Sequence, residues 1–285
     1  MAKITMLLGS MDHSPSEQLG KDPTEWHTTA IIASEGGEHL LLADDIANRM
    51  KIQGGTLKRW ARNPPGSAYR AKFEATFAER ASSYPVHVRA VSVQSETMVR
   101  AFPNLLTHLQ LASYVEAFTR NNKPYLRFGP FTRMRAGAPI NQQGEPVKFE
   151  LPESQAVPIV FMCHSLLHAH RSVMQELVAD SPELEWIDWQ LTPNKFPRDI
   201  DGPVARLFHA IISLAEDARM IEGNLRILTL LESKQDHGSA LADNLAGLLN
   251  QKAKALDWTI QKSPTKHAGS SVLWTVCHDK VRLQQ

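Results

Sequence analysis

One acidic residue is notable because small and apolar residues surround it. Residues 224–251 have the sequence NLRILTLLESKQDHGSALADNLAGLLNQ, which predicts a buried strand, a polar loop and a helix that carries Asp243. The small residues around Asp243 would let this helix approach a sheet closely. Its carboxylate would then face the region beyond the strand ends, where ligands bind in α/β sheets. Asp243 is therefore a candidate site residue.

The same stretch carries a family resemblance. Residues 233–247, within ESKQDHGSALADNLAG, resemble the Ser-Lys and Ala-Asp-x-x-Ala-Gly signature of a bacterial family, domain of unknown function 3800, regarded as ribonuclease-H-like. The family order implies a second acid on the first strand and a third at the end of a later strand. Asp12 and Asp188 take those places. The family usually has Asp-Glu-Ser-Gly at the first place, where this chain has His13 and Pro15.

The resemblance implies a metal-dependent nuclease. Two Mg²⁺ or Mn²⁺ ions about 3.5–4 Å apart need hard oxygen ligands from converging carboxylates. We predict that Asp12, Asp188 and Asp243 are the metal ligands and catalytic residues, with Asp188 and Asp243 within roughly 10 Å of each other. Alternatives for the first-strand position are Asp45, Glu35 and Asp236. The alternative is that all three acids have structural roles. Asp12 would then begin a turn, Asp188 would be a solvated acid at a strand end, and Asp243 would make a buried hydrogen bond.

Two segments combine basic and aromatic residues, as expected of a phosphate groove with stacking rings. Segment 58–72 has five basic residues and no acid, and segment 121–148 has five basic residues and one acid. We predict that the two segments are adjacent and bind nucleic acid. The predicted contacts are Lys58, Arg59, Trp60, Arg62, Arg127, Arg133 and Arg135. The alternative is that the two segments do not bind a ligand and are simply a solvated helix face and a basic loop anchored by aromatic residues.

Other chemical signatures are weak or absent. His164 and His168 have the i, i+4 spacing of a zinc pair, but no HExxH acid or third ligand accompanies them, which favours a partly exposed helix. Cys163 is predicted to be a core residue. The chain has no GxGxxG, GxxxxGK[ST] or GxSxG motif, which argues against dinucleotide enzymes, P-loop NTPases and α/β-hydrolases.

The hydrophobic pattern predicts strands that alternate with helices, and therefore an α/β fold with parallel pairing in its second half. We predict strands at 3–8, 26–33, 86–93, 157–162, 184–189, 225–231 and, at an edge, 271–277. The predicted helices are 40–52, 68–82, 102–118, 165–178, 204–220 and 239–256. Residues 121–153 are rich in Pro, Gly, Asn and Gln and are predicted to be a surface insertion.

Composition indicates a globular protein rather than a fibrous or disordered one. With 285 residues, 42% hydrophobic and 21% charged, we predict one ribonuclease-H-like domain, a mixed sheet flanked by helices. Two cysteines and no signal or membrane segment predict a cytoplasmic protein. The alternative to a nuclease is a catalytically inactive binding or scaffold protein, as a subunit of a nucleic-acid-targeting complex.

Overall fold

The computed structural model describes residues 3–15, 19, 22–131, 146–193, 203–217, 223–227, 237–255 and 271–277. The strands in these ranges are β1 Lys3–Ser14, β2 Trp26–Glu35, β3 His87–Gln94, β4 Val115–Arg120, β5 Lys123–Phe131, β6 Val147–Pro152, β7 Leu184–Pro193, β8 Gly223–Ile227 and β9 Ser271–Cys277. The helices are α1 Glu38–Arg49, α2 Ala68–Arg80, α3 Ser95–His108, α4 Glu153–Asp180, α5 Pro203–Asp217 and α6 His237–Lys254.

The main sheet is mixed, as predicted. Its order is β8-β7-β1-β2-β3-β9. Strands β1, β2 and β3 pair antiparallel, whereas β7 is parallel to β1, β8 to β7 and β9 to β3. The predicted hairpin, the predicted strands 184–189 and 225–231 and the edge strand β9 are confirmed over their described residues.

Alternate residues of the strands face two separate cores, because successive side chains of a strand point to opposite faces. On β2, Ile31 and Ala33 pack with α3, α4 and α5, whereas Ala30 and Ile32 pack with α1, α2 and α6. We call these sides the α4 face and the α6 face. Helices therefore cover both faces, which confirms the predicted α/β layering.

A second sheet, of order β4-β5-β6, lies on the α4 face, where its inner residues join that core. Most of the described part of the predicted insertion is thus regular structure, which corrects the surface-loop prediction for those residues. Arg120 pairs with Lys123, so Asn121 and Asn122 alone form the turn, with φ of 49° and 58°. Two residues with positive φ make the preferred turn of a tight hairpin, and Asn tolerates that conformation. Residues 132–145 lie outside the described residues.

One helix prediction and one strand prediction need correction. The predicted helix 102–118 ends at His108, and Val115–Arg120 is strand β4 instead. The predicted strand 157–162 lies inside α4, a helix of 28 residues in which residues 156–163 are all buried. A helix that is buried on several sides has apolar residues all round, so its short apolar run resembles that of a buried strand.

The described helices include none with the length and hydropathy required to span a membrane.

Candidate nucleic-acid interface

Asp12 and Asp188 do not lie together. In the parallel pairing of β1 with β7, Asp188 is opposite Met6. Asp12 lies six residues further along β1, which corresponds to about 20 Å at the rise of a strand. A metal pair spans only about 3.5–4 Å, so these two carboxylates do not share one site. The predicted convergence of the two strand acids is therefore wrong.

Asp12 is buried beneath α6, with 1% of its surface exposed. Two residues earlier on the same face of β1, Ser10 packs so closely against α6 that a Cβ at Gly238 would overlap its hydroxyl. Asp12 shares the strand face of Ser10. A carboxylate in this position lies in the layer between sheet and helix, rather than at an open strand end.

Asp243 holds the loop that precedes the short helix Trp60–Arg62. Its Oδ2 accepts a hydrogen bond of 2.7 Å from the backbone N–H of Trp60. The neighbouring Asn244 donates from Nδ2 to the carbonyl oxygen of Lys58 at 2.9 Å and accepts at Oδ1 from the Tyr69 hydroxyl at 3.0 Å. Burial raises the pKa of Tyr69 to about 12, and the nearby Asp243 charge acts in the same direction. The Asp-Asn pair is thus a clamp on the backbone of the basic segment.

The predicted metal site does not fit Mg²⁺ or Mn²⁺. Of the alternative acids, Asp45 accepts from Arg80 Nε at 2.6 Å, Glu35 ends β2, and Asp236 lies outside the described residues. Within the described ranges, no group of three or more His, Cys, Asp or Glu side chains could hold a metal ion. The separation of Asp12 from Asp188 and the engagement of Asp243 with Trp60 argue against one shared centre.

The basic segment 58–62 has exposed cations but no exposed ring. Lys58, Arg59 and Arg62 are exposed, whereas Trp60 is only 5% exposed. The Trp60 ring packs edge-on against Phe73, with centroids 6.0 Å apart, and the Arg70 guanidinium lies 4.4 Å from its centroid. The three cations fit the predicted phosphate contacts. Trp60 is a core residue, so its predicted base-stacking role is wrong.

The second sheet presents polar and aromatic side chains on its outer face. We define this outer face by Glu116, Phe118, Arg120, Lys123, Tyr125, Arg127, Lys148 and Glu150, which alternate with the residues of the inner face. Phe118 is directly opposite Tyr125 across the β4-β5 pair, and their ring centroids are 5.8 Å apart. Both rings are partly exposed. Two aromatic rings are thus presented side by side on a rigid sheet.

Arginine side chains flank these rings. The Arg120 guanidinium lies 5.2 Å from the Tyr125 centroid, and that of Arg127 lies 5.0 Å from the Phe118 centroid. Glu150 forms ion pairs with both arginines, at 3.1 Å to Arg127. The hydrogen bonds that Arg127 donates to Glu150 and Glu116 raise the pKa of its guanidinium above the usual value. The carboxylates hold the guanidinium groups over the rings.

A shallow groove of about 530 Å³ crosses this outer face and is lined by Arg120, Arg127, Lys148, Phe149 and Glu150. Arg127 therefore lies at the surface, and its contact with nucleic acid stays a prediction. Arg133 and Arg135 lie outside the described residues. The sequence pattern missed Phe118 and Arg120, because the apolar spacing before them predicted a helix. The Asn-Asn turn was the available signal for the hairpin.

The described parts of the two basic segments are not adjacent. Leu57 and Trp60 belong to the core of the α6 face, whereas Leu126 and Phe128 of β5 belong to the core of the α4 face. The main sheet separates these cores. For the described residues, the prediction that both segments serve one groove is therefore wrong, and their basic residues lie on two separate surfaces.

The histidine pair of α4 does not have the surroundings of a zinc site. Burial, together with the neighbouring His108 and His168, lowers the pKa of His164 to about 4. The rings of His108 and His164 meet edge-on, with centroids 5.3 Å apart. Cys163 is buried, as predicted, and burial raises the pKa of its thiol. These residues contribute to packing.

A buried polar chain on the α4 face was not predicted. His13 Nδ1 lies 2.9 Å from the Thr29 hydroxyl, and His13 Nε2 lies 3.1 Å from His27 Nδ1. His27 Nε2 in turn lies 3.0 Å from the Ser95 hydroxyl at the start of α3. His13 is one of the two residues that depart from the family pattern, and its ring has structural partners on the neighbouring strand.

Comparison with known proteins adds no relative. No family model matches the chain, and neither the curated proteins nor the solved structures include a match to it. The ribonuclease-H-like resemblance therefore depends on the sequence of segment 233–247.

Proposed function

We propose that this chain binds single-stranded nucleic acid on the outer face of its three-stranded sheet. The observation that carries the proposal is the partly exposed pair Phe118 and Tyr125, with an arginine guanidinium group over each ring. Bases of a single strand can turn outward and stack on aromatic side chains, whereas the bases of a duplex remain stacked on one another. The face therefore favours single strands.

The charge of the outer face supports the same ligand. Four basic residues stand against two acidic residues there. Lys123 and Lys148 are exposed and form no ion pair with any residue in the described ranges. Cations beside a stacking platform neutralise phosphates and release counterions, so we expect binding that weakens as salt increases.

The proposed scaffold is ribonuclease-H-like. The signature at 233–247 and the mixed sheet, with an antiparallel β1-β2-β3 half and a parallel β1-β7-β8 half, support it. The placement of Asp12 and Asp188 favours a binding protein over a nuclease that uses the three aspartates. We therefore infer a binding or scaffold protein, whose place is in a nucleic-acid-targeting complex.

The test is fluorescence anisotropy with labelled single-stranded DNA and RNA of about 12 nucleotides, compared with a duplex of the same length. The purified chain should bind the single strands more tightly. The double variant Phe118→Ala with Tyr125→Ala should lose roughly 1–3 kcal/mol of binding free energy for each ring.

Trp186→Ala is the matched control, because Trp186 is an aromatic residue of the main sheet and is 44% exposed. It should bind like the unmodified chain. Equal affinity of the double variant and the unmodified chain would refute the proposal, and so would tighter binding of the duplex.

A further inference from the structure

Three side chains from distant parts of the chain meet at the amino end of α6. His237 Nδ1 hydrogen-bonds with Asp44 Oδ1 of α1, and His237 Nε2 lies 3.3 Å from the Thr56 hydroxyl. In the tautomer with its proton on Nδ1, the ring donates to Asp44 and accepts from the Thr56 O–H. A carboxylate, an imidazole and a hydroxyl in this order can activate the hydroxyl as a nucleophile.

Solvent reaches this group. The side chains of His237 and Asp44 are 31% and 46% exposed, and Thr56 is partly exposed. No described atom lies within 4 Å of where a Cβ would stand at Gly54 or Gly55, so the loop before Thr56 is open on that side. A second histidine–hydroxyl pair nearby, His39 and Ser34 at 2.9 Å, is buried and beyond the reach of a substrate.

Two basic residues follow Thr56 closely in the chain. Lys58 and Arg59 follow it by two and three residues and are exposed. Asn244 and Asp243 hold the backbone of this stretch. The carbonyl oxygen of Lys58 accepts a hydrogen bond from Asn244, and the backbone N–H of Trp60 donates one to Asp243. The positive end of the α6 macrodipole also lies at His237. A substrate with an anionic group is therefore favoured.

We propose that Thr56, His237 and Asp44 form a hydrolytic site for carboxylic esters that carry an anionic group. The Thr56 oxygen attacks the ester carbonyl carbon while its proton passes to His237 Nε2. The bond from the carbonyl carbon to the leaving oxygen then breaks, and His237 returns the proton to the departing alcohol. Water attacks the acyl-threonine, with His237 as base, and releases the carboxylic acid and the free hydroxyl. Asp44 positions the imidazole throughout.

The test is release of 4-nitrophenol from 4-nitrophenyl hydrogen succinate, with neutral 4-nitrophenyl butyrate for comparison. The anionic ester should be hydrolysed faster. Thr56→Val and His237→Asn should each lower kcat by about 10²–10⁴-fold, the usual contribution of such groups. Intact-protein mass spectrometry after rapid quenching should show one succinyl group, which Thr56→Val abolishes. Thr56→Ser should retain turnover.

Asp44 needs a separate readout because it acts through His237. Asp44→Asn should lower kcat with little change in KM, and Asp44→Glu should restore part of the loss. His108→Gln, which alters an exposed histidine of α3, is the matched control and should leave turnover unchanged. Circular dichroism establishes that each variant is folded.

The proposal fails if the unmodified chain does not hydrolyse the ester above the buffer rate, or if Thr56→Val retains full turnover. Turnover of 4-nitrophenyl phosphate in place of the esters would also overturn acyl transfer at this site. Because this site lies on the α6 face, none of these results bears on nucleic-acid binding by the three-stranded sheet.

Discussion

The two segments that combine basic and aromatic residues fold in different ways. In segment 58–62 the chain forms a loop and a short helix, and Trp60 turns inward to pack on α6 and Phe73. In β4 and β5 the strand alternation places Phe118 and Tyr125 outside and Leu126 and Phe128 inside. Similar compositions thus yield a clamped basic loop and an aromatic platform. Backbone conformation, more than composition, determines which rings can meet a ligand.

The largest effect should come from Gly247→Ala, which tests how firmly the basic loop is packed. A Cβ at Gly247 would overlap the buried Trp60 ring, which is too rigid to move aside. We expect a loss of about 3 kcal/mol in the free energy of unfolding, measured with urea. Gly54→Ala is the control, because a Cβ at Gly54 would contact no described atom within 4 Å. Its positive φ should still lower the free energy of unfolding by about 1 kcal/mol. Equal costs would contradict the tight packing of Trp60.

Charge reversal should separate the two basic surfaces. The double variant Lys123→Glu with Lys148→Glu should weaken single-strand binding by about 10- to 100-fold. The slope of the logarithm of the binding constant against the logarithm of the salt concentration should become shallower by about one for each lost phosphate contact. Lys58→Glu with Arg59→Glu should have a smaller effect, because that segment has no exposed ring. Anisotropy titrations over a range of salt concentrations measure both quantities. If the Lys58 and Arg59 variant lost more affinity than the Lys123 and Lys148 variant, the binding surface would be segment 58–62 instead.

Asp243→Ala tests whether this acid is a clamp or a metal ligand. Loss of the carboxylate leaves the N–H of Trp60 without its acceptor in a buried site, which should cost about 1–3 kcal/mol of unfolding free energy. Asp243→Asn keeps an acceptor oxygen and should lose less. If Mg²⁺ raised the thermal midpoint of the unmodified chain but not of Asp243→Asn, a metal would be bound there, contrary to the clamp.

The smallest effect is expected for Tyr69→Phe, which removes the hydroxyl that bonds to Lys58 and Asn244. About 1 kcal/mol of unfolding free energy should be lost. The folded pKa of Tyr69 is raised from 10.0 to about 12, so the unfolded chain releases this proton first as pH rises. The stabilisation is present below pH 10 and disappears between pH 10 and 12. Absorbance titration of tyrosinate should show one high-pKa group that Tyr69→Phe removes.

The sequence by itself determined most of the main sheet. Strands β1, β2, β3 and β7 have β-rich apolar runs with turn residues beside them, and these local signals are strong enough to indicate strands. The alternation of strands and helices in the second half required parallel pairing, which the β1-β7 and β7-β8 pairs have. The association of Asp243 with a closely packed helix was also visible in its small neighbours.

Only the tertiary structure decided how the strands align and which side chains meet. The register of β7 against β1 places Asp188 opposite Met6, and no pattern within either strand could predict it, because register depends on contacts between distant segments. Residues 157–162 belong to a helix that is buried on several sides, and a short apolar run of this kind cannot be told from a buried strand by its pattern alone. Likewise, Asp44, Thr56 and His237 meet only because α1, the loop after it and α6 pack on one face. Side chains so far apart in the chain leave no periodic signal.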